Sequence, residues 1–206
     1  MRTARWRMLA MMVVLTVAAA CSDGEAQVGV PSATVGTEAP TTTTTNPYAV
    51  PAVIDAAYVN RVLGGLDQIA GNITREVFRS RSISDQVVQQ LRAIYSTDPN
   101  VQLEIDLFQE LARSGFASLR DPPGNQVTKV EELITAESRC IFARVSRDLS
   151  AVSKETTGPS PRRYWVALVP LDPARDVNGL NGTSWAYRYD GFPPPGFPDP
   201  PNQCDR

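Results

Sequence analysis

Histidine is absent from this chain of 206 residues, and Lys129 and Lys154 are the only lysines among its 20 basic residues. Histidine is the side chain that most readily exchanges protons near neutral pH, and it is the commonest metal ligand. Its absence excludes Ser-His-Asp and Cys-His catalysis and every zinc site built on histidine. We therefore expect neither a metal nor a cofactor, and we assign no catalytic residue.

A net charge of −2 leaves no excess of positive charge for a nucleic-acid surface, so we expect no nucleic-acid partner. The hydrophobic share of 42% and the charged share of 20% are typical of a globular protein. A chain of this length predicts one domain with additional segments.

Residues 1–20 have the pattern of a signal peptide. Arg2, Arg5 and Arg7 precede a run without charged side chains from Met8 to Ala20, which matches the positive and apolar regions of an export signal. The run is too short for a membrane-spanning helix, which needs about 20 apolar residues. We therefore predict that the chain is exported.

The run ends in Ala18-Ala19-Ala20-Cys21, which resembles the lipobox of bacterial lipoproteins. In that family the cysteine thiol receives diacylglycerol, and the cysteine becomes the mature N-terminus. The resemblance implies that Cys21 anchors the chain to the membrane, although the family prefers leucine where this chain has Ala18. The same alanines also fit ordinary A-x-A cleavage, which would give a secreted protein.

One disulfide uses two of the three cysteines, so in an exported protein the third stays unpaired unless it has another role. Lipidation of Cys21 leaves Cys140 and Cys204 to form a disulfide in an oxidising compartment. The bridge would close a loop of roughly 64 residues and stabilise the fold by ~4 kcal/mol if the effect is entropic.

Two segments lack the apolar content of a folded region. Residues 21–50 are rich in threonine, proline, glycine and alanine, so they predict a disordered linker that spans roughly 30 Å as a random coil. Residues 193–206 are rich in proline and predict an extended tail. Cys204 would cross-link this tail onto the protein's own sheet; alternatively, the tail is a ligand for a groove.

Residues 51–192 are expected to form one globular domain that begins with three helices. Apolar residues at helical spacing predict a first helix up to about Arg79. Ser84 is a suitable N-cap for the second helix, and Asp98 for a third helix that ends at Gly115. The apolar stripe of the third helix is expected to comprise Leu103, Leu107, Phe108 and Leu111.

After residue 124 the apolar period changes to two, which predicts strands. The four strands are expected at Val127 to Ala136, Cys140 to Arg147, Arg163 to Leu171 and Thr183 to Asp190. On the last strand, Trp185, Tyr187 and Tyr189 are expected to share one face. The predicted fold class is α+β, with three N-terminal helices packed on a four-stranded antiparallel meander.

Helices followed by an antiparallel sheet resemble the cone-shaped fold of the nuclear transport factor 2-like and steroid isomerase-like proteins. The resemblance covers residues 52–192 and rests on the order of the elements, although the early strand usual in that family is not evident. It implies a pocket at the open end of the cone. Four aromatic side chains are candidates to line this pocket or, equally, to fill the core: Phe142, Trp165, Trp185 and Tyr187.

The acidic residues do not form a recognisable catalytic set. A solvated face on or beside the third helix is predicted for Asp98, Glu104, Asp106 and Glu110. Glu131 and Glu132 alternate across a strand, so one of the two could point inward and have a raised pKa. Residues 176–182 contain two Asn-Gly pairs, which favour a hairpin turn over a calcium loop.

These features predict an exported, membrane-tethered accessory protein without enzymatic activity that binds another envelope protein or a cell-wall component. Its predicted location is the outer face of the cell membrane, where the lipid on Cys21 holds it. Two alternatives remain open. One is a lipoprotein that holds a small apolar ligand in the cone, and the other is an isomerase- or hydratase-type enzyme that uses the same cavity.

Overall fold

The computed structural model describes residues 46–159, 164–192 and 199–205. The predicted signal peptide, the lipidation site Cys21, the linker up to residue 45 and residues 193–198 of the tail lie outside these ranges. Among the described residues, no helix is both long and apolar enough to cross a membrane.

The first two helices begin at side-chain caps. The first helix, α1, spans Ala56–Ser80, and the carboxylate of its N-cap Asp55 accepts a hydrogen bond from the backbone N–H of Tyr58 at 2.7 Å. The second helix, α2, spans Asp85–Ile94 and begins after Ser84, the cap that the sequence predicts. The buried face of α1 comprises Tyr58, Val59, Val62, Leu63, Leu66, Asp67, Gly71, Ile73 and Val77.

Two of the glycines inside α1 allow close packing. A Cβ atom at Gly71 would collide with the side chain of Asn125, and one at Gly65 would meet Thr183 and Tyr48. Tyr48, near the end of the predicted linker, packs against the core in this way. The close packing that glycine allows here offsets its weak helix propensity, so the helix continues through both positions.

The third helix, α3, spans Asp98–Arg113. Its N-cap is Thr97, so Asp98 is the first helical residue and not the cap that we expected. Gly115 follows the helix with a φ of 64°, the left-handed conformation that glycine adopts without a steric cost. The helix thus ends at Arg113 with Ser114 as its C-cap, slightly before the predicted end, and Gly115 is the left-handed residue that follows the cap.

The apolar stripe expected on α3 is wrong in half of its positions. Phe108 is buried, but Leu103 and Leu107 are 65% and 52% exposed. The face that turns toward the protein comprises Val101, Glu104, Ile105, Phe108 and Leu111. The helix carries two overlapping apolar stripes, and the one that buries Phe108 together with Val101 prevails.

In the part of the chain that the structure describes, the sheet has four antiparallel strands in the order β1-β2-β3-β4. The strands are β1 Val127–Glu137, β2 Cys140–Asp148, β3 Tyr164–Pro170 and β4 Trp185–Gly191. The predicted α+β class, with three helices and a four-stranded meander, is therefore confirmed.

The main core lies between the helices and the inner face of the sheet. Helix α1 packs against β1, and α2 packs against β4. The inner face of β2 carries Ile141, Ala143 and Val145, which share one side of the strand as the sequence predicts. Apolar residues of β3 and β4 complete the inner face: Val166, Leu168, Trp185 and Tyr187.

The outer face of the sheet is covered in part by the end of the chain. Cys140, at the start of β2, forms a disulfide with Cys204 in a short 3-10 helix, as predicted. The amide of Asn202 also donates a hydrogen bond to the Thr135 hydroxyl at 3.0 Å. The described part of the tail is thus fixed to the protein's own sheet.

Candidate functional site

A cavity of about 430 Å³ lies between the three helices and the inner face of the sheet. This volume is within the usual range for pockets that bind small molecules. Much of its wall is apolar and includes Ala70, Ile73, Leu91, Ile94, Phe108 and Leu111. Part of the wall carries polar side chains, and we define the polar patch as Tyr95, Glu104, Arg147 and Asp190.

A bulge in β4 brings Asp190 to the inner face of the sheet. The pairing with β3 slips by one residue at Arg188, because Ala167 pairs with Tyr189 whereas Leu168 pairs with Tyr187. The slip reverses the alternation of faces along the strand. Tyr187 therefore belongs to the main core, whereas Tyr189 packs on the outer face, which corrects the expectation that both share one face.

A hydrogen bond between a helix and this strand is made at the bulge. The side-chain amide of Asn100 on α3 donates to the backbone carbonyl of Arg188 at 3.0 Å. The irregular part of β4 is thereby connected to the helix that also carries Glu104. Two elements that contribute to the polar patch are held together in this way.

Arg147 has a fixed set of partners at the inner face. Two of its guanidinium nitrogens contact the two carboxylate oxygens of Asp190 at 3.0 and 2.9 Å. Its Nε donates to the Thr128 hydroxyl at 3.2 Å, and its guanidinium lies 4.9 Å from the ring centre of Tyr164. Burial disfavours the charge on Arg147, but Asp190, together with Tyr187 and Asp67, outweighs burial and raises the pKa of the guanidinium.

Asp67 supports this arrangement from α1. Its carboxylate accepts hydrogen bonds from the backbone N–H of Thr128 at 2.7 Å, from the Thr128 hydroxyl at 3.0 Å and from the Gln126 amide at 2.7 Å. Burial raises the pKa of Asp67, while these hydrogen bonds and Arg147 lower it. Thr128 on β1 and Gln126, which directly precedes β1, thus occupy the oxygens of the Asp67 carboxylate. Asp67 therefore attaches α1 to the sheet.

Glu104 faces the cavity, which corrects the prediction that it belongs to a solvated face. It is half-buried on the inner side of α3, beside the hydroxyl of Tyr95. Burial and, to a smaller extent, the negative charge of Asp190 raise the pKa of Glu104. Burial also raises the pKa of Tyr95 well above its ordinary value, so this hydroxyl remains a hydrogen-bond donor.

The aromatic residues that the sequence offers for a pocket are divided between the two faces of the sheet. Phe142 and Trp165 stack on the outer face with ring centres 5.4 Å apart. Trp185 and Tyr187 belong to the main core, where the indole N–H of Trp185 donates to the Tyr58 hydroxyl at 2.8 Å. None of these four candidates is among the residues that line the cavity.

Glu131 and Glu132 are both exposed, so neither takes the inward position that their alternation along a strand would have allowed. Both carboxylates contact Arg144 of the neighbouring strand, at 3.3 and 3.0 Å. A break in the pairing of β1 and β2 between Val130 and Glu132 places the two consecutive side chains near the same arginine. Neither glutamate belongs to the cavity.

Residues 176–182 lie in the connection between β3 and β4. The Asp176 carboxylate accepts hydrogen bonds from the backbone N–H groups of Leu180 and Asn181 at 2.6 and 3.0 Å. Gly179 has a φ of 62°, which is typical of a turn. In the part of the chain that the structure describes, no group of three cysteine, aspartate or glutamate side chains is placed to hold a metal ion.

The geometry describes a binding cavity with an apolar wall and a polar patch of two carboxylates, one guanidinium and a tyrosine hydroxyl. Sequence reasoning missed these charged members. The alternation of Ile141, Ala143 and Val145 does extend to Arg147, so a signal for Arg147 was present. Comparisons with protein-family models, with curated proteins and with solved structures found no significant match to this chain.

Proposed function

We propose that this chain is an exported lipoprotein, held at the outer face of the membrane through Cys21, that binds a small amphipathic molecule in its cavity. The cavity is the observation that carries this proposal, because its apolar wall suits a hydrocarbon body and its polar patch suits one polar group. The cavity favours a ligand-binding role over that of an accessory protein without a pocket.

The cysteines support the proposed anchor. Cys140 and Cys204 are paired with each other, which leaves Cys21 as the one cysteine of the sequence without that partner. The order of helices and strands supports the proposed relationship to the cone-shaped nuclear transport factor 2-like proteins. A membrane-tethered cavity would meet amphipathic molecules at the surface where they accumulate.

The test of ligand binding uses the neutral dye Nile red, whose fluorescence rises in apolar surroundings. Ala70 lines the cavity from α1, so Ala70→Phe should fill part of the cavity and weaken dye binding by about tenfold or more. The matched control is Ala57→Phe, which adds the same side chain at an exposed position of α1. Circular dichroism of both variants establishes that they are folded.

Saturable dye binding that is lost in Ala70→Phe and retained in Ala57→Phe would support the proposal. Equal binding by both variants would contradict it, because the dye would then occupy another surface. An absence of saturable binding by the wild-type protein would also contradict it.

A second candidate, an isomerase-type enzyme, is favoured by the position of the Tyr95 hydroxyl beside Glu104 in the cavity. A carboxylate base beside a neutral hydroxyl donor is an arrangement that removes a proton next to a carbonyl group. Exchange of the acidic protons of an apolar cyclic ketone in heavy water, followed by NMR, tests this candidate. The exchange should be catalysed by the wild-type chain and lost in Glu104→Gln.

A further inference from the structure

More acidic than basic side chains line the cavity. Glu104 and Asp190 carry carboxylates and Arg147 carries a guanidinium, and no other charged residue of the described chain lines the cavity. Arg147 and Asp190 neutralise each other through two contacts at 3.0 and 2.9 Å. Glu104 is therefore the carboxylate whose charge is not balanced by a basic side chain of the wall.

A further acid, Asp67, makes the excess of negative charge larger. Asp67 lies behind the wall, within electrostatic reach of Arg147, and its carboxylate is occupied by Thr128 and Gln126. Asp67, Glu104 and Asp190 thus set three carboxyl groups against the guanidinium of Arg147. The guanidinium of Arg175 donates to the backbone carbonyl of Tyr95 at 3.0 Å, but it is paired with Asp98. An apolar cavity strengthens the interaction of these charges with any charged group that enters it.

We infer that the cavity selects an apolar molecule that carries a cationic amine, with the Glu104 carboxylate as the counter-ion of that amine. This inference rests on the proposed function, because it names the chemical class of the ligand for the same cavity. An ammonium group offers three hydrogen-bond donors, and the carboxylate of Glu104 is an acceptor that lines the wall.

The same geometry disfavours a fatty acid. The guanidinium of Arg147, which would be the natural partner of a ligand carboxylate, already contacts both oxygens of Asp190. A bound carboxylate would instead lie near Glu104 and Asp190, and like charges repel strongly where water is excluded. The ring of Tyr95, which also lines the cavity, belongs to a class of side chain that attracts cations and not anions.

Burial of Glu104 points the same way. Its pKa is raised in the cavity by loss of water and by Asp190, and the opposing effect of Arg147 is smaller, so the charge of the ionised side chain is not fully compensated there. A bound ammonium would supply that cation and favour the ionised carboxylate. The cavity volume of about 430 Å³ suits a molecule with one hydrocarbon chain, whereas a lipid with two chains is larger.

The inference is tested with three ligands that share one hydrocarbon chain and differ in the polar group: decylamine, decanol and decanoate. Each is titrated below its micelle concentration against the protein with bound Nile red, and displacement of the dye gives the affinity. For the wild-type chain at neutral pH, decylamine should bind about tenfold or more tightly than decanoate, with decanol between them.

The matched variants are Glu104→Gln and Glu110→Gln, which remove one carboxylate each from α3. In Glu104→Gln the preference for decylamine over decanoate should fall by about tenfold, because the counter-ion is lost. In Glu110→Gln the preference should not change, because Glu110 is exposed and pairs with Arg113 away from the cavity.

Decanoate that binds the wild-type chain as tightly as decylamine would overturn the inference, and so would an unchanged preference in Glu104→Gln. The ranking of the three ligands on the wild-type chain needs no variant, so a misfolded variant does not affect that part of the test. If Nile red and decanol bind but decylamine is not preferred, only this inference fails. If neither neutral ligand binds, the proposed function fails with it.

Discussion

Arg147 on β2 and Asp190 on β4 form a two-point ion pair on the inner face of the sheet, with nitrogen–oxygen distances of 3.0 and 2.9 Å. Strand β3 lies between the two strands that carry them. The pair exists because the bulge at Arg188 turns Asp190 inward. Both side chains are largely buried, at 7% and 12% exposure, so each charge depends mainly on the other.

Replacement of Asp190 by alanine should therefore destabilise the fold strongly. It leaves the Arg147 guanidinium buried without its main counter-ion, a change that costs about 3–5 kcal/mol in the free energy of unfolding. The control is Asp98→Ala, which removes the 73% exposed partner of Arg175 and should cost about 1 kcal/mol or less. Urea unfolding of both variants measures the difference, and equal losses would contradict a role for burial.

Glu104 should make stability depend on pH. Because its pKa is raised in the folded chain above the ordinary value of 4.5, the folded state binds the proton more tightly than the unfolded state. The free energy of unfolding therefore falls as the pH rises through the window above 4.5. Asp190, Arg147 and Tyr95 also face this group, so a comparison with a variant is needed to isolate its effect.

Glu104→Gln removes this ionisation. The variant should be more stable than the wild-type chain at about pH 7. The difference should shrink below about pH 4, where the glutamate is protonated in both the folded and the unfolded state. Glu110→Gln should show no gain in stability at about pH 7, because it removes only the exposed ion pair with Arg113. A wild-type chain more stable than Glu104→Gln near neutral pH would contradict this account.

The disulfide between Cys140 and Cys204 should contribute substantially to stability. It closes a loop with a sequence separation of 64, and a loop of that size is worth about 4 kcal/mol in the unfolding free energy. In a chain with Cys21→Ser, reduction should add the mass of two hydrogens and lower the urea midpoint. The control is the double variant Cys140→Ser with Cys204→Ser, which reductant should not affect.

Secondary structure and the cysteine pairing could be predicted from sequence because their signals are local or countable. Ser84 caps α2, Gly115 ends α3 and the period-two pattern of Ile141, Ala143 and Val145 marks the core face of β2. These features depend on the backbone and on side chains a few residues apart.

The candidate site could not be predicted in the same way, because two of its members depend on tertiary packing. Asp190 reaches the inner face of the sheet through a bulge, and the residues around Arg188 carry no sequence signal for that bulge. Glu104 lies between Leu103 and Ile105 on a helix that is apolar on more than one side. Only packing against the sheet decides that Glu104 turns inward while Leu103 remains exposed.

Cys21 should be the membrane anchor. Mass spectrometry of the mature N-terminus should find a diacylglyceryl group on Cys21, and Cys21→Ser should release the chain from membranes without loss of its circular dichroism. Cys204→Ser is the matched control, because it removes a different cysteine and should leave the chain in the membrane fraction. A free thiol at residue 21, or an N-terminus at another residue, would contradict the anchor.

Asn181 should be far more important for stability than Asn178, although both are followed by glycine in the same loop. The buried Asn181 amide donates to the carbonyls of Ala93 at 2.6 Å and of Trp185 at 2.8 Å, so it joins the end of α2 to the start of β4. Asn178 is exposed and bonds only to Gln89 among the described residues, at 2.9 Å.

Asn181→Ala removes a buried donor from both carbonyls, of which that of Trp185 keeps the Thr183 hydroxyl at 3.2 Å. The change should lower the unfolding free energy by about 2–4 kcal/mol. Asn178→Ala should change it by less than about 0.5 kcal/mol. Since Ala93 is two residues from Tyr95, the loss of this link should also loosen the wall of the cavity and weaken Nile red binding. Equal unfolding free energies for the two variants would show that Asn181 does not hold α2 against β4.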